Sequence, residues 1–218
     1  MGGAGARVGI RPCVSFWDLL RSPAVNGFCD RVPAMSRYRR LLVPGGTAFF
    51  TVCLAERGSD LLLREIDLLR WAVGATLRDH PVEVLAWVVL PDHMHAIWRM
   101  PEGDSGYARR WGAIKGRFSV ALKEARGEEA ARSPALPDGA HLRDGESGVW
   151  QRRFWEHHIR GPEDLAAHMA FCRTAPVREG LVPRAGDWPY SSFARAEARQ
   201  AAQSGAGAGS SRPGRAAG

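Results

Sequence analysis

The chain has 218 residues, enough for one ordinary domain with a real core plus tails. Its 45% hydrophobic content fits a globular protein, and no apolar run approaches the roughly 20 residues that a membrane-spanning helix needs. The net charge of +7 is carried mostly by arginine; this favours a polyanionic partner, because arginine forks suit phosphate and guanine edges. A merely soluble basic protein would show the same charge. Cys13, Cys29, Cys53 and Cys172 show no paired spacing, which reads as reduced thiols rather than a disulfide framework or a zinc knuckle.

Residues 1–34 hold Gly, Pro and isolated apolar positions with no sustained period, and read as a disordered extension or a mis-assigned start. A short docked helix at Phe16–Leu20 is the rival reading. No basic segment leads into an apolar core, so a signal peptide is not expected and the cytoplasm is the expected compartment.

The Pro44-Gly45-Gly46 turn introduces a first strand over Thr47–Leu54. A helix follows over Leu61–Arg78, where Leu62, Ile66, Leu69, Val73 and Leu77 fall on one face and Pro81 marks the stop. Strands are expected over Glu83–Leu90 and His93–Arg99. The next helix spans Tyr107–Ala125, with Trp111, Ile114, Phe118 and Leu122 as its apolar stripe and Arg109, Arg110, Lys115 and Arg117 on its other faces. Residues 126–148 read as an exposed loop, and a fourth strand runs over Val149–Ile159. A last helix starts at Pro162, with Glu163 and Asp164 in its first turn, and ends near Thr174 ahead of Pro176. Residues 196–218 carry no large apolar side chain and are expected to be disordered. The order β-α-β-β-α-β plus a final helix predicts an α+β, ferredoxin-like fold: one antiparallel sheet with helices on one face and a C-terminal helix.

The segment Trp87–Trp98 reads as two apolar strands joined at Leu90-Pro91-Asp92. Strand side chains alternate, so His93 and His95 share a face and Met94 points away. Two imidazoles beside Asp92 make half of a divalent-metal site, or else a hydrogen-bonded pair on a half-buried strand.

His93-Met94-His95 after Val88-Val89-Leu90-Pro91-Asp92 resembles the HUH motif of single-tyrosine, single-strand DNA transposases, and in particular the REP-associated tyrosine transposases of the IS200-like family. Ser36–Arg40 with Gly45–Val52, Trp111–Phe118, Val149–Arg160 and Asp187–Phe193 resemble further motifs of that family, in order. The likeness covers residues 35–195, which makes Met35 the expected start of the domain. It implies hairpin-bearing single-stranded DNA as partner and Mg²⁺ or Mn²⁺ as cofactor, held by His93 and His95. It further implies nicking and rejoining by a tyrosine that becomes linked to a 5′ phosphate.

This chain departs from the family pattern on the last helix. Pro176-Val177 sets the register, so that Phe171 stands at the nucleophile position and Ala175 at that of an asparagine, the family's candidate third metal ligand. Phenylalanine has no hydroxyl and alanine no donor atom. Tyr38, Tyr107 and Tyr190 are the remaining tyrosines; Tyr107 and Tyr190 are weak substitutes, and Tyr38 sits in an N-terminal arm expected to touch DNA. His168, one turn before Phe171, is a candidate third ligand or a surface histidine.

The expected DNA contacts are Arg37, Tyr38, Arg39 and Arg40 of the arm, the Gly45-Gly46 turn, Lys115 and Arg117, and Arg152 and Arg153 on the fourth strand. Trp150 and Trp155 fall on opposite faces of that strand, so one should enter the core. Two functions follow from the resemblance: a metal-assisted transposase, or a hairpin-DNA-binding descendant that no longer cleaves. An RNA-recognition module is disfavoured, because the second and third strands lack its aromatic signature.

Overall fold

The computed structural model describes residues 43–127 and 148–194. The expectations for residues 1–34, for Arg37, Tyr38, Arg39 and Arg40, and for the tail lie outside the described residues, as does most of the 126–148 loop. The elements are β1 (Thr47–Cys53), α1 (Leu61–Arg64), α2 (Ile66–Asp79), β2 (Glu83–Val89), β3 (His93–Arg99), α3 (Tyr107–Arg126), β4 (Trp155–His158) and α4 (Pro162–Arg178), followed by a 3₁₀ turn at Ala185–Asp187. The four strands form one antiparallel sheet in the order β2-β3-β1-β4, so β1 and β3 are central. This is the order expected of the ferredoxin-like arrangement.

Strand parity divides the core. Ala48, Phe50 and Val52 of β1 and Met94, Ala96 and Trp98 of β3 pack on α1, α2 and α3. The predicted stripe of α3 is buried against them: Trp111, Ile114, Phe118 and Leu122 are all fully covered. The Trp98 and Trp111 rings stack 4.2 Å apart, and Phe50 packs against both. Burying four such side chains contributes on the order of 1.5–3 kcal/mol each. Arg110 is buried too: it donates to the carbonyls of His80 and Pro81 and to Asp104, clamping the start of α3 to the end of α2.

The opposite face of the sheet carries Phe49, Thr51, His93 and His95, and α4 covers it through Phe171 and His168. Helices α1–α3 and helix α4 therefore lie on opposite faces, and the histidine pair sits in the second, smaller interface.

The predicted elements differ from the observed ones in three places. The first helix is broken at Glu65 into α1 and α2, whose N–H bonds back to the Leu61 carbonyl. The fourth strand is shorter than expected. Trp150 bridges Leu54 and Trp155 pairs with Thr51, so three steps along β1 face five along the other chain. The two extra residues bulge out, which leaves Arg152 and Arg153 exposed at the sheet edge. Trp150 still reaches the helical core, against Phe118, while Trp155 packs on Phe49 on the other face. Finally, α4 continues through Pro176 to Arg178. Proline removes one helical donor near the helix end, and Arg178 Nη1 supplies a donor to the neighbouring Phe171 carbonyl at 3.0 Å.

The edge of β2 is covered by the segment after the 3₁₀ turn. Val89 N–H donates to the Tyr190 carbonyl, Trp87 N–H to Ser192 Oγ, and Trp188 Nε1–H to the Val89 carbonyl. Cys172 is buried and free, but Cys53 is disulfide-bonded, so the expectation of four reduced thiols fails at that position. Spacing alone says nothing about a long-range pairing. Among the described residues no helix is long and apolar enough to cross a membrane.

Candidate functional site

The β2–β3 turn is held from several sides. Leu90 N–H donates to the His93 carbonyl, Leu54 N–H to the Asp92 carbonyl and Leu62 N–H to the Pro91 carbonyl. The Asp92 carboxylate accepts Gly58 N–H at 2.7 Å and pairs with Arg57 at 3.1 Å through Oδ2, and accepts His93 Nδ1–H at 2.6 Å through Oδ1. Burial would raise the Asp92 pKa, but the bonds from His93 and Gly58 and the charges of His93 and Arg57 outweigh it and keep the carboxylate ionised.

His93 and His95 share the face turned to α4, with ring centroids 5.0 Å apart. Each has its Nδ1 engaged by a neighbour: Asp92 for His93, and Thr51 Oγ1 at 2.9 Å for His95. With Nδ1–H donating in both, Nε2 is the remaining lone-pair atom of each ring, the pattern by which outer residues fix metal-ligating histidines. Burial holds His95 well below its ordinary pKa, helped by the His93 and Arg178 charges, so its imidazole is neutral. Burial alone would lower His93 as well, but hydrogen bonds to Asp92 and to Glu179, whose Oε1 lies 3.2 Å from Nε2, raise it. Two fixed imidazoles with a carboxylate at hand suit Mg²⁺ or, better, Mn²⁺.

Phe171 stands directly against this pair. Its ring meets His95 edge-on at 5.1 Å and Phe49 at 5.6 Å, and the Arg178 guanidinium lies over its face at 4.0 Å. Ala175, one turn on, is fully buried and offers no donor. The two substitute tyrosines lie elsewhere. Tyr107 is buried in the helical core and donates to Glu156, and Tyr190 packs against that same core. Neither shares the face of His93 and His95.

His168 is drawn into a different group. Its Nδ1 lies 2.9 Å from the Asp164 carbonyl and 3.0 Å from Asp164 Oδ1, while His157 Nε2 lies 2.9 Å from Asp164 Oδ2. The two imidazoles stack 4.5 Å apart. Asp164 also accepts Arg160 N–H, so one carboxylate ties the start of α4 to β4. Among the described residues, His157, Asp164 and His168 are the group of three donors close enough to hold a metal ion, all within 4.8 Å of one another. Phe49 contacts both His95 and His168 from its place in β1. The His157–Asp164 contact was missed from sequence. Its signal, a histidine pair shortly before an acidic helix start, needs the β4–α4 packing to become visible.

Of the expected DNA-contacting residues, Gly45 adopts a left-handed φ of 71°, and a Cβ on Gly46 would meet Val43 at 2.9 Å; the turn therefore requires both glycines for its own geometry. Lys115 donates to the Gln151 carbonyl, and Arg117 donates to Thr76 and pairs with Asp79.

The sequence was compared with known proteins. No family model matches the chain. The REP-associated tyrosine transposase of Escherichia coli K12 is 42% identical over 165 residues, covering 76% of this chain and 87% of that protein. This chain belongs to the REP-associated tyrosine transposases. A relative from Haemophilus influenzae assigned to the same family is 41% identical over 162 residues, with 74% and 87% covered. A solved structure of the REP-associated tyrosine transposase bound to a REP hairpin superposes with a TM-score of 0.63 at 42% identity, covering 76% of this chain and 87% of that one. The four-stranded antiparallel sheet with its helices is thus the fold of this transposase family.

Proposed function

We propose that this chain is a REP-type hairpin-DNA-binding protein that holds Mg²⁺ or Mn²⁺ at His93 and His95 but forms no phosphotyrosine link. Family membership and the net charge of +7 support the DNA partner. The bulge carrying Arg152 and Arg153, the Gly45-Gly46 turn and the arm with Arg37, Tyr38, Arg39 and Arg40 form the proposed contact surface. Lys115 and Arg117 would join it only by exchanging their bonds within the fold.

The observation that carries the non-cleaving reading is the ring of Phe171, packed 5.1 Å from His95 where the family places its nucleophile. A bound divalent ion would polarise a phosphodiester oxygen and stabilise developing negative charge. His93 and His95 would hold it, Asp92 and Thr51 would orient them, and no hydroxyl on α4 stands ready to attack. The test is incubation with REP-type hairpin DNA and Mn²⁺, read by a mobility shift and by denaturing electrophoresis. Binding without a covalent adduct is expected. A 5′-phosphotyrosine adduct with the unmodified protein overturns the reading, and Tyr107 and Tyr190 would then be replaced in turn.

A further inference from the structure

We infer that Glu179 is the third protein ligand of the metal at His93 and His95, and so replaces the donor that Ala175 lacks. The inference rests on the metal site proposed above. Glu179 lies one helical turn beyond Ala175, on the same side of the chain, and is the residue that ends α4. Its N–H is tied back to the Ala175 carbonyl, which fixes where the side chain starts. From there the carboxylate reaches His93, with Oε1 3.2 Å from Nε2, the atom left for a metal once Nδ1 is bonded to Asp92.

Other oxygens around the pair are committed. Both Asp92 oxygens are taken by His93, Gly58 and Arg57, and Thr51 Oγ1 is engaged by His95. Asp164 serves His157, His168 and Arg160. Glu179 is the described carboxylate that faces His93 at Nε2 and is also partly open to solvent, with its side chain one-third exposed. A carboxylate at that position suits a hard divalent ion better than a carboxamide, because it adds negative charge as well as an oxygen. Two histidines and one carboxylate leave coordination positions for water or for phosphate oxygens.

Mn²⁺ binding measured by electron paramagnetic resonance of the free ion, without DNA, tests the assignment on the full chain. Wild type, Glu179→Gln, Glu179→Ala, His95→Gln and His168→Ala are compared, with circular dichroism as a check of folding. One strong Mn²⁺ is expected in wild type, lost in His95→Gln, unaffected in His168→Ala, and at least tenfold weaker in both Glu179 variants. If the Glu179 variants bind as wild type does while His95→Gln loses the ion, Glu179 is not a ligand and the histidine site stands alone. If His95→Gln also binds normally, or wild type binds nothing, both the ligand assignment and the metal site beneath it are wrong. Loss in His168→Ala with binding retained in His95→Gln would place the ion at the His157–Asp164–His168 group instead.

Discussion

Arg178 grips Phe171 twice: its guanidinium lies 4.0 Å over the ring, and its Nη1 donates to the Phe171 carbonyl at 3.0 Å. A third bond, to Thr174 Oγ1 at 2.7 Å, completes the brace across the last two turns of α4. The arginine is largely buried, which lowers its pKa from the usual value but leaves it charged. The position that carries the family's nucleophile is thus filled by a ring held from above by a cation and from the side by His95.

Phe171→Ala is expected to destabilise the fold by about 3 kcal/mol, because it removes a buried ring from the α4–sheet interface and leaves Arg178 over a cavity. Phe171→Leu should cost markedly less, since most of the volume remains. Urea denaturation followed by circular dichroism measures both. Equal losses for the two variants would mean that the aromatic ring, not its volume, decides the contact.

Asp104 and Arg110 set the acid limit of the fold. Arg110 is almost fully buried, and its charge is met by Asp104 at 2.6 Å. That bond, with one from Gly106 N–H, lowers the Asp104 pKa. A depressed folded-state pKa contributes stability that is present above the unfolded value of about 3.9 and lost as pH falls through the lower folded value. Asp104→Asn should cost about 2 kcal/mol at pH 7, because it strands a buried guanidinium while Asp104 itself is partly exposed. The gap between wild type and variant should close as pH drops below about 4. A gap that stays constant to pH 2 would show that the carboxylate charge is irrelevant.

The sheet, the α3 stripe and the shared face of His93 and His95 were legible in the sequence, because each rests on a local period: alternation in strands and 3.6 residues per turn in the helix. The β3 limits, His93–Arg99, came out as expected. What was not legible depends on contacts between distant segments. Arg110 looks like any solvated helix charge until the end of α2 is seen to wrap around it. The bulge before Trp155 leaves no mark in a run as β-prone as Val149–Ile159, since it is set by how Gln151 bonds Cys53 and Lys115. Pro176 argued for an earlier end to α4, and the side chain that offsets its missing donor, Arg178, is two residues further along.

Hairpin DNA is expected to bind more tightly than unstructured DNA of equal length, with affinity falling steeply with salt. Arg152→Ala with Arg153→Ala should weaken binding and reduce the slope of log K against log salt by about 1–2, as for two lost phosphate contacts. Arg39→Ala with Arg40→Ala should act alike if the arm touches phosphate. Fluorescence anisotropy across a salt series reads both effects. An unchanged slope in either pair would remove those residues from the contact surface.

Phe171→Tyr together with Ala175→Asn is expected to create or greatly increase strand cleavage while leaving hairpin affinity within about threefold of wild type. Positions 171 and 175 lie one turn apart on α4, and the ring at 171 already borders His95. The new hydroxyl would stand beside the metal site, where a polarised phosphodiester would be attacked, with transfer of the 5′ phosphate to the tyrosine oxygen and release of a 3′ hydroxyl. The proposed DNA contacts lie on the arm, the glycine turn and the β4 bulge, away from α4, so affinity should hold. Arg178 adds a second benefit: a guanidinium over the ring favours the phenolate. A covalent adduct resolved on a denaturing gel should appear with the double variant, and should vanish with chelator or with His95→Ala added. If the double variant binds hairpin DNA and Mn²⁺ normally yet forms no adduct, then the loss of cleavage in this chain extends beyond positions 171 and 175, and Glu179 and Arg178 become the next residues to exchange.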